Sequence, residues 1–288
     1  MRLLSLLFAS AAAAELTFSA SAVQAGKKVD ISGLEFVPIP PRSRSHFRWS
    51  GTNSTGASSG GHKSHRSNEN EKRNAISLSS DWCGVSQHAT TSDPIKSVYG
   101  SFTAPNLSDR TGTYPQYGAA WIGIDGASCS QALLQAGVTT ILNSNGQQSA
   151  SAWWEWVPNS SYSISGFPVK AGEWLTVNVT ATSATNGLIS ISNLNQGYTL
   201  SIVLNNGPAL CRADADWIVE DFYGTGGKQV PFARFDDIWF EECAATTSKG
   251  NTIGLDGAAM IYLGNSASTA TCVAQPYDNS NFYCSSQG

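Results

Sequence analysis

Ten short apolar runs that follow Asn74 decide what this chain can fold into. Each is rich in Val, Ile, Tyr or Trp, and clusters of Gly, Asn, Pro and Ser separate one run from the next. None has the period of about 3.6 residues that marks a helix, whereas many short strands joined by regular turns are typical of antiparallel sheets. The runs are SVYGSFTAP, GAAWIGID, ALLQAGVTTIL, ASAWWEWV, EWLTVNVTAT, LISISNL, TLSIVLN, ADWIVEDF, DDIWFEE and AAMIYLG. The pattern predicts an all-β protein, folded as a sandwich or a barrel.

The N-terminus has the features of a secretory signal peptide. The start MRLLSLLFASAAAA carries Arg2 and then an apolar stretch to Ala14, which is shorter than the roughly 20 residues that a membrane-spanning helix needs. Small residues around Ala20 to Ala25 offer cleavage sites of the A-x-A type. We therefore predict a signal peptide over residues 1–25, a secreted, extracellular protein and no membrane partner.

Residues 26–73 are predicted to form a disordered propeptide. Their polar, turn-rich sequence has too few apolar residues to bury a core, and it ends in the dibasic pair Lys72-Arg73. Cleavage after this pair would leave a mature domain over residues 74–288. The alternative is a flexible tail that stays attached to the domain.

Charge is divided unevenly between these two parts. Residues 1–73 contain ten Lys and Arg and five Asp and Glu, a formal balance of +5, which leaves −9 for the remainder of a chain whose net charge is −4. Opposite charges attract at neutral pH, although salt screens them beyond about 8 Å. We predict that the propeptide is a partner of the mature domain that lies over its acidic cleft and blocks it until acid weakens the attraction; the alternative is a solubilising tail without this role.

The mature part lacks the patterns of several common kinds of site. Its one histidine is His88, and no serine stands in a G-x-S-x-G context. It also lacks H-E-x-x-H, His and Cys at zinc spacing, a glycine-rich phosphate loop and a basic patch. We predict a monomer with no metal, no cofactor and no nucleic-acid partner.

Polar residues inside the apolar runs are the candidates for chemistry. Gln135 lies in SQALLQAGV, where both strand faces are largely apolar, and a buried amide without hydrogen-bond partners costs a few kcal/mol. Glu155 in AWWEWVP and Glu220 in DWIVEDF share a strand face with large apolar residues, and Trp121 shares one with Asp125. Several acids placed among tryptophans indicate a cleft.

These segments resemble the glutamic peptidases, or eqolisins, which are acid proteases secreted mainly by fungi. The resemblance rests on AWIGIDGASCSQALLQAGV, AWWEWVP and ADWIVEDF in this order, with DWCGV and SVYGSFTAPNL before them, and it covers roughly Ser80 to Thr247. It implies a concanavalin-like or lectin-like sandwich of two seven-stranded antiparallel sheets. It also implies an endopeptidase, with protein or peptide substrates, whose catalytic pair is Gln135 and Glu220.

In the mechanism that this resemblance suggests, Glu220 is the general base that activates a water. Gln135 stabilises the tetrahedral intermediate, and a hydrogen bond from its amide lowers the pKa of Glu220. Trp121, Asp125 and Glu155 match residues that lie in or beside the cleft and are predicted to bind substrate. Two alternatives stay open: a glycoside hydrolase that uses Glu155 and Glu220 as its carboxylates, and a lectin-like module that binds carbohydrate without turnover.

Six cysteines, an even number, fit a secreted protein with disulfides. The resemblance implies a Cys129–Cys211 pair. Proximity in the sequence favours Cys272–Cys284, which leaves Cys83–Cys243 by elimination. Candidate glycosylation sequons begin at four positions, Asn53, Asn106, Asn159 and Asn178.

Overall fold

The computed structural model describes residues 15–39, 75–224 and 226–288 of the chain. These parts are built from strands, and the one helical element among them is a 3-10 turn at Ala267–Thr269. The strands are β1 (Thr17–Gln24), β2 (Lys27–Val29), β3 (Glu35–Ile39), β4 (Ala75–Ser79), β5 (Trp82–His88), β6 (Ile95–Thr103), β7 (Leu107–Ser108), β8 (Gln116–Ile124), β9 (Leu133–Leu142), β10 (Gln148–Val157), β11 (Ser161–Ser165), β12 (Trp174–Ala181), β13 (Gly187–Asn193), β14 (Tyr198–Asn205), β15 (Asp214–Glu220), β16 (Arg234–Phe235), β17 (Ile238–Thr247), β18 (Thr252–Ile253), β19 (Ala259–Leu263), β20 (Cys272–Pro276) and β21 (Phe282–Ser286). The prediction of an all-β fold is confirmed.

Most strands belong to two sheets that pack face to face, and β7 and β16 form a separate two-stranded ladder. From β5 onward, the first sheet runs in the order β11-β10-β9-β8-β15-β5-β19, and all its neighbours are antiparallel. The second runs in the order β14-β13-β12-β6-β17-β21-β20, also antiparallel throughout. Each sheet therefore has seven strands from this part of the chain. A single residue pair between β19 and β20 joins the two sheets, and β4 adds to β19 in parallel.

The core lies between the sheets because their strands alternate apolar and polar residues. In β12, for example, Leu175, Val177 and Val179 are fully buried while the residues between them are half-buried. The first sheet differs, since both faces of β8, β9 and β10 are covered. Its inner face contributes to the main core, and its outer face carries a second apolar cluster that includes Trp121 and Trp153. This second cluster surrounds the candidate site.

The described part of the predicted propeptide is ordered. Strand β1 lies within the predicted signal peptide, and β2 and β3 lie within residues 26–73, so the prediction of disorder does not hold for residues 26–39. The reason is the alternation of Phe18, Ala20 and Ala22, which pack against the main core. Lys72-Arg73 and the sequon at Asn53 lie outside the described residues.

Two disulfides are present, and one of them differs from the predicted scheme. Cys129–Cys211 is formed, with 6.2 Å between the Cα atoms. Cys83 pairs with Cys272 at a Cα separation of 6.0 Å, so the predicted pairs Cys83–Cys243 and Cys272–Cys284 are wrong. Strand register explains why Cys272 and Cys284 do not pair. Cys272 stands opposite Ser286 and Cys284 stands opposite Ala274, so the two cysteines are diagonal neighbours and do not face each other directly. Cys243 and Cys284 are free and buried.

No helix among the described residues is long and apolar enough to cross a bilayer. Of the three sequons that the structure describes, Asn106 is exposed, and Asn159 and Asn178 are half-buried.

Candidate active site

Strand register brings Gln135 and Glu155 together on the outer face of the first sheet. Gln135 on β9 stands opposite Glu155 on β10, and its Nε2 donates to Glu155 Oε2 at 2.5 Å. Both side chains are buried, with 2% and 5% of their surfaces exposed. Gln135 Oε1 has no hydrogen-bond partner among the described residues. Among the described residues, the amide nitrogen therefore has a carboxylate partner and the amide oxygen has none.

Glu220 is held by a different donor. It is the last residue of β15, it is half-buried, and its Oε2 accepts a hydrogen bond of 2.9 Å from Nε1 of Trp121. The Trp121 ring is fully buried and meets the Trp82 ring edge-on, with 5.0 Å between centroids. Packing of one tryptophan against another therefore fixes the indole N–H that points at Glu220.

Gln135 and Glu220 share the outer face but are not joined directly. Trp121 stands opposite Gly137 on β9 and Ile218 on β15, two residues along from Gln135 and from Glu220 respectively. The expected hydrogen bond from the Gln135 amide to Glu220 is instead given to Glu155. The structure thus brings four predicted site residues onto one face, as the hydrogen-bonded pairs Gln135–Glu155 and Trp121–Glu220.

Gly137 is required for this arrangement. A Cβ atom at Gly137 would lie 2.1 Å from the carbonyl oxygen of Ala120 and 2.5 Å from Cβ of Trp121. Such distances force the backbone or the indole to move.

We expect Gly137→Ala to lower the turnover of a peptide substrate at least about tenfold and to destabilise the fold by about 1–3 kcal/mol, the usual cost of overpacking. Gly33→Ala, at a glycine without a positive φ whose Cβ atom would meet nothing within 4 Å, is the control for adding a methyl group. Peptidase assays and denaturant unfolding measure both effects, and unchanged turnover in a folded Gly137→Ala variant would contradict the role of this close approach.

Asp125 does not line the cleft in the way that strand alternation suggested. Its carboxylate is fully buried and accepts backbone N–H groups of Arg212 at 2.9 Å and Ala213 at 2.7 Å. Burial raises the pKa of Asp125, against the lowering effect of these hydrogen bonds. The residue has a positive φ of 70° and begins the turn that leads to Cys129, so it fastens this loop beside the Cys129–Cys211 disulfide.

Asp214 is a second loop anchor, which the sequence reasoning missed. It accepts hydrogen bonds of 2.6 Å from the backbone N and Oγ of Ser128, and its Oδ1 lies 2.6 Å from Nδ1 of His88. Burial alone would raise its pKa, but hydrogen bonds from His88 and Ser128 lower it below the ordinary value. The same hydrogen bond raises the pKa of His88. His88, which the sequence presents as a solitary polar residue, therefore belongs to an ion pair.

Two further acids stand near the catalytic candidates. Asp216 is fully buried in the same cross-strand row as Gln135, with Gly123 between them, and Ser86 stands opposite it on β5. Burial raises its pKa well above the ordinary value, so Asp216 keeps its proton in acid. Asp221 follows Glu220, and burial together with the charges of Glu220 and Asp81 raises its pKa to about 7. Alternation along β15, which places Asp214, Asp216 and Glu220 on one face, was the available signal for Asp216.

The site as a whole is suited to acid–base chemistry on a water molecule. It combines a carboxyl group at a strand end, a buried amide and a second carboxyl group within an apolar cluster. An amide donor keeps its hydrogens at any acid pH, and a carboxyl group can move a proton near its ordinary pKa of about 4.

Comparison with known proteins agrees with the geometry. Residues 80–286 match the model of the Peptidase A4 family. The chain is 32% identical over 212 residues to aspergillopepsin-2 of Aspergillus niger, which covers 67% of this chain and 73% of that protein. It is 34% identical over 189 residues to scytalidopepsin B of Scytalidium lignicola, which covers 63% and 68% respectively. A crystal structure of scytalido-glutamic peptidase with a transition state analog inhibitor superposes with a TM-score of 0.62 at 29% identity, over 72% of this chain and 98% of that one.

Proposed function

The chain belongs to the Peptidase A4 family, the eqolisins, and is a glutamic-type endopeptidase; we propose that it hydrolyses peptide bonds outside the cell, in acid, with Gln135 and Glu220 as its catalytic residues. One observation carries the proposal. The outer face of the first sheet holds the Gln135–Glu155 and Trp121–Glu220 hydrogen bonds side by side in an apolar, tryptophan-lined surface. Such a surface suits an extended peptide, whose backbone needs a few oriented polar groups.

Glu220 acts as the general base and then as the general acid. The indole N–H of Trp121 donates to the carboxyl group and fixes its direction. The carboxylate takes a proton from a water as the water oxygen bonds to the scissile carbonyl carbon. The same proton then passes to the leaving nitrogen as the C–N bond breaks, which returns Glu220 to its starting state without a covalent intermediate.

Gln135 stabilises the oxyanion, and Glu155 positions it. The amide nitrogen carries two hydrogens, of which Glu155 accepts one. The second can be donated to the oxygen on which negative charge develops, as in an oxyanion hole. Because an amide does not titrate, this donor works across the whole acid range. Glu155 in this scheme is a positioning residue, since its action on the substrate passes through Gln135.

Hydrolysis assays on two kinds of polymer test the proposed function. We expect the purified protein to cleave a denatured protein substrate at about pH 4, near the ordinary pKa of a glutamate. A peptide-based transition-state analogue should block this cleavage. A glycoside hydrolase or a lectin-like module would leave the protein substrate intact, so hydrolysis of a polysaccharide alone, or of neither polymer, would overturn the proposal.

Secretion is part of the proposal because of the N-terminal sequence. Residues 1–14 carry the apolar stretch that follows Arg2, and the first described residue is Glu15. We infer that the leader ends before Glu15, since Thr17–Gln24 belongs to the fold as β1.

A further inference from the structure

The N-terminal segment Glu15–Ile39, here named the clamp, closes the outer edges of both sheets. Strand β1 pairs antiparallel with β14, the last strand of the second sheet, from Thr17–Asn205 to Gln24–Tyr198. Strand β3 pairs antiparallel with β11, the last strand of the first sheet, from Glu35–Ser165 to Ile39–Ser161. Without the clamp, β14 and β11 would each present a row of unpaired N–H and C=O groups.

The turns of the clamp also fit the body of the peptidase. The backbone N–H of Ala25 donates to the carbonyl of Gly197 at 3.1 Å, at the turn between β13 and β14. After β11, Gly166 approaches Gly33 so closely that a Cβ atom there would lie 2.5 Å from the Gly33 carbonyl oxygen. Contacts therefore continue beyond the paired strands.

An aromatic cluster anchors the clamp to the core. The Phe18 ring lies 5.1 Å from Phe36 within the clamp, and 5.1 Å from Trp154 and 5.2 Å from Tyr162 in the body. Trp154 stacks on Tyr162 at 4.6 Å and is fully buried. Removing the clamp would uncover this pair at the open end of the core.

The clamp binds on the side of the first sheet that faces away from the catalytic residues. Trp154 belongs to the core between the sheets, whereas its neighbour Trp153 belongs to the outer cluster around Gln135 and Glu220. The clamp also carries nearly balanced charge, with Lys27 and Lys28 against three acids. Its attachment thus relies on strand pairing and apolar packing, in contrast to the charge attraction expected from the basic composition of residues 1–73.

We propose that the clamp is a strand-donating subunit of the mature enzyme: once the chain is cut after Arg73, the N-terminal fragment stays bound to the peptidase body by completing both sheets, and the catalytic face stays open. The occupant of the two edges is thus a piece of the same chain. It acts as a structural partner, and peptide substrates reach Gln135 and Glu220 while it is bound.

Cleavage of the full chain tests this proposal directly. Lys72-Arg73 is the single Lys-Arg pair in the sequence, so a processing protease specific for such pairs cuts there. After cutting at neutral pH, we expect the fragment and the body to elute together at a one-to-one ratio, by mass spectrometry, in size-exclusion chromatography. Co-elution should persist at about 1 M salt, where charge interactions are screened beyond about 3 Å. Loss of the fragment in high salt alone would favour a charge-held propeptide and overturn the proposal.

Matched variants distinguish loss of the clamp's packing contacts from a general destabilisation of the fold. Phe18→Ala should speed release of the fragment about tenfold or more, because even a half-buried Phe that packs on three aromatic rings loses more on truncation than the free energy of a tenfold change. Phe18→Leu should restore retention, and Val23→Ala, at a position on the same strand that is 36% exposed, should leave it unchanged. Equal release rates in the wild type, Phe18→Ala and Val23→Ala would overturn the proposal.

Hydrogen exchange in the uncut chain gives a second readout that does not depend on processing or activity. The alternate amides of β14 that face β1 should be protected in the wild type and exchange about tenfold faster in Phe18→Ala, while those that face β13 stay protected. Fast exchange of the β1-facing amides in the wild type would show that the clamp does not hold this edge. Because none of these measurements concerns hydrolysis, they can fail while the proposed peptidase mechanism stands, and the reverse also holds.

Discussion

Glu220→Gln is expected to lower kcat on a peptide substrate by roughly a thousandfold or more, within the range that general acid–base catalysis contributes. The substitution keeps the size of the side chain and an oxygen that can accept the Trp121 N–H, but it removes the group that takes the proton from water. Folding should be unchanged, because the side chain is half-buried at the end of β15. Steady-state assays in acid measure the loss, with Glu241→Gln on the other sheet as the matched control.

Gln135→Ala should cost about a hundredfold to a thousandfold, the usual effect of removing one oxyanion donor. Gln135→Glu is a sharper test of the geometry. It places two carboxyl groups where Nε2 and Oε2 now lie 2.5 Å apart, so the pair must share a proton. We expect the variant to lose most activity and to retain the remainder only at lower pH. If Glu220→Gln or Gln135→Ala turned over substrate at near the wild-type rate while properly folded, the assigned catalytic pair would be incorrect.

Strand alternation predicts the arrangement of the site better than it predicts its hydrogen bonds. The alternation within single strands places Gln135, Glu155 and Glu220 on faces with large apolar residues, and the structure sets all three on the outer face of the first sheet. Which donor meets which acceptor depends on register between strands far apart in the sequence. Trp121 on β8 therefore reaches Glu220, and Gln135 reaches Glu155, although the resemblance suggested a direct Gln135–Glu220 contact.

The other differences between the predictions and the structure also arise from contacts between residues far apart in the sequence. Ala20 and Ala22 have the spacing of a signal-peptide cleavage site, and equally that of a strand whose small residues fit against a core. Pairing with β14, which lies far away in the sequence, makes these residues a strand. Cys272 likewise pairs with Cys83, which is 189 residues away in sequence, because β20 meets the first sheet at Leu263. Neither the pairing of β1 with β14 nor that of Cys83 with Cys272 can be read from neighbouring residues in the sequence.

The buried acids also make the stability of the fold depend on pH. The pKa of Asp221 is raised to about 7 from an ordinary value of 3.8, by burial and by the charges of Glu220 and Asp81. Burial raises the pKa of Asp216 as well, and that of His88 is raised by its hydrogen bond to Asp214. The folded protein therefore holds these protons more tightly than the unfolded chain does. For Asp221, this contribution to stability is complete below about pH 4 and disappears as the pH rises to about 7.

We therefore expect the free energy of unfolding to fall between about pH 4 and pH 7, with Asp221 accounting for at most about 4 kcal/mol of the change. Asp214 acts in the opposite direction only in stronger acid, because its lowered pKa means that its stabilising hydrogen bonds are lost as the pH falls through that value. Denaturant unfolding at several pH values measures the slope. Asp221→Asn should flatten it, because an amide in this place needs no proton to stay neutral, and should raise the melting temperature at neutral pH by on the order of 10 °C. Asp256→Asn, at an exposed position, is the control and should leave the slope as it is. Equal slopes in the wild type and Asp221→Asn would show that Asp221 does not hold its proton in the folded protein and that the acid preference of the fold has another source.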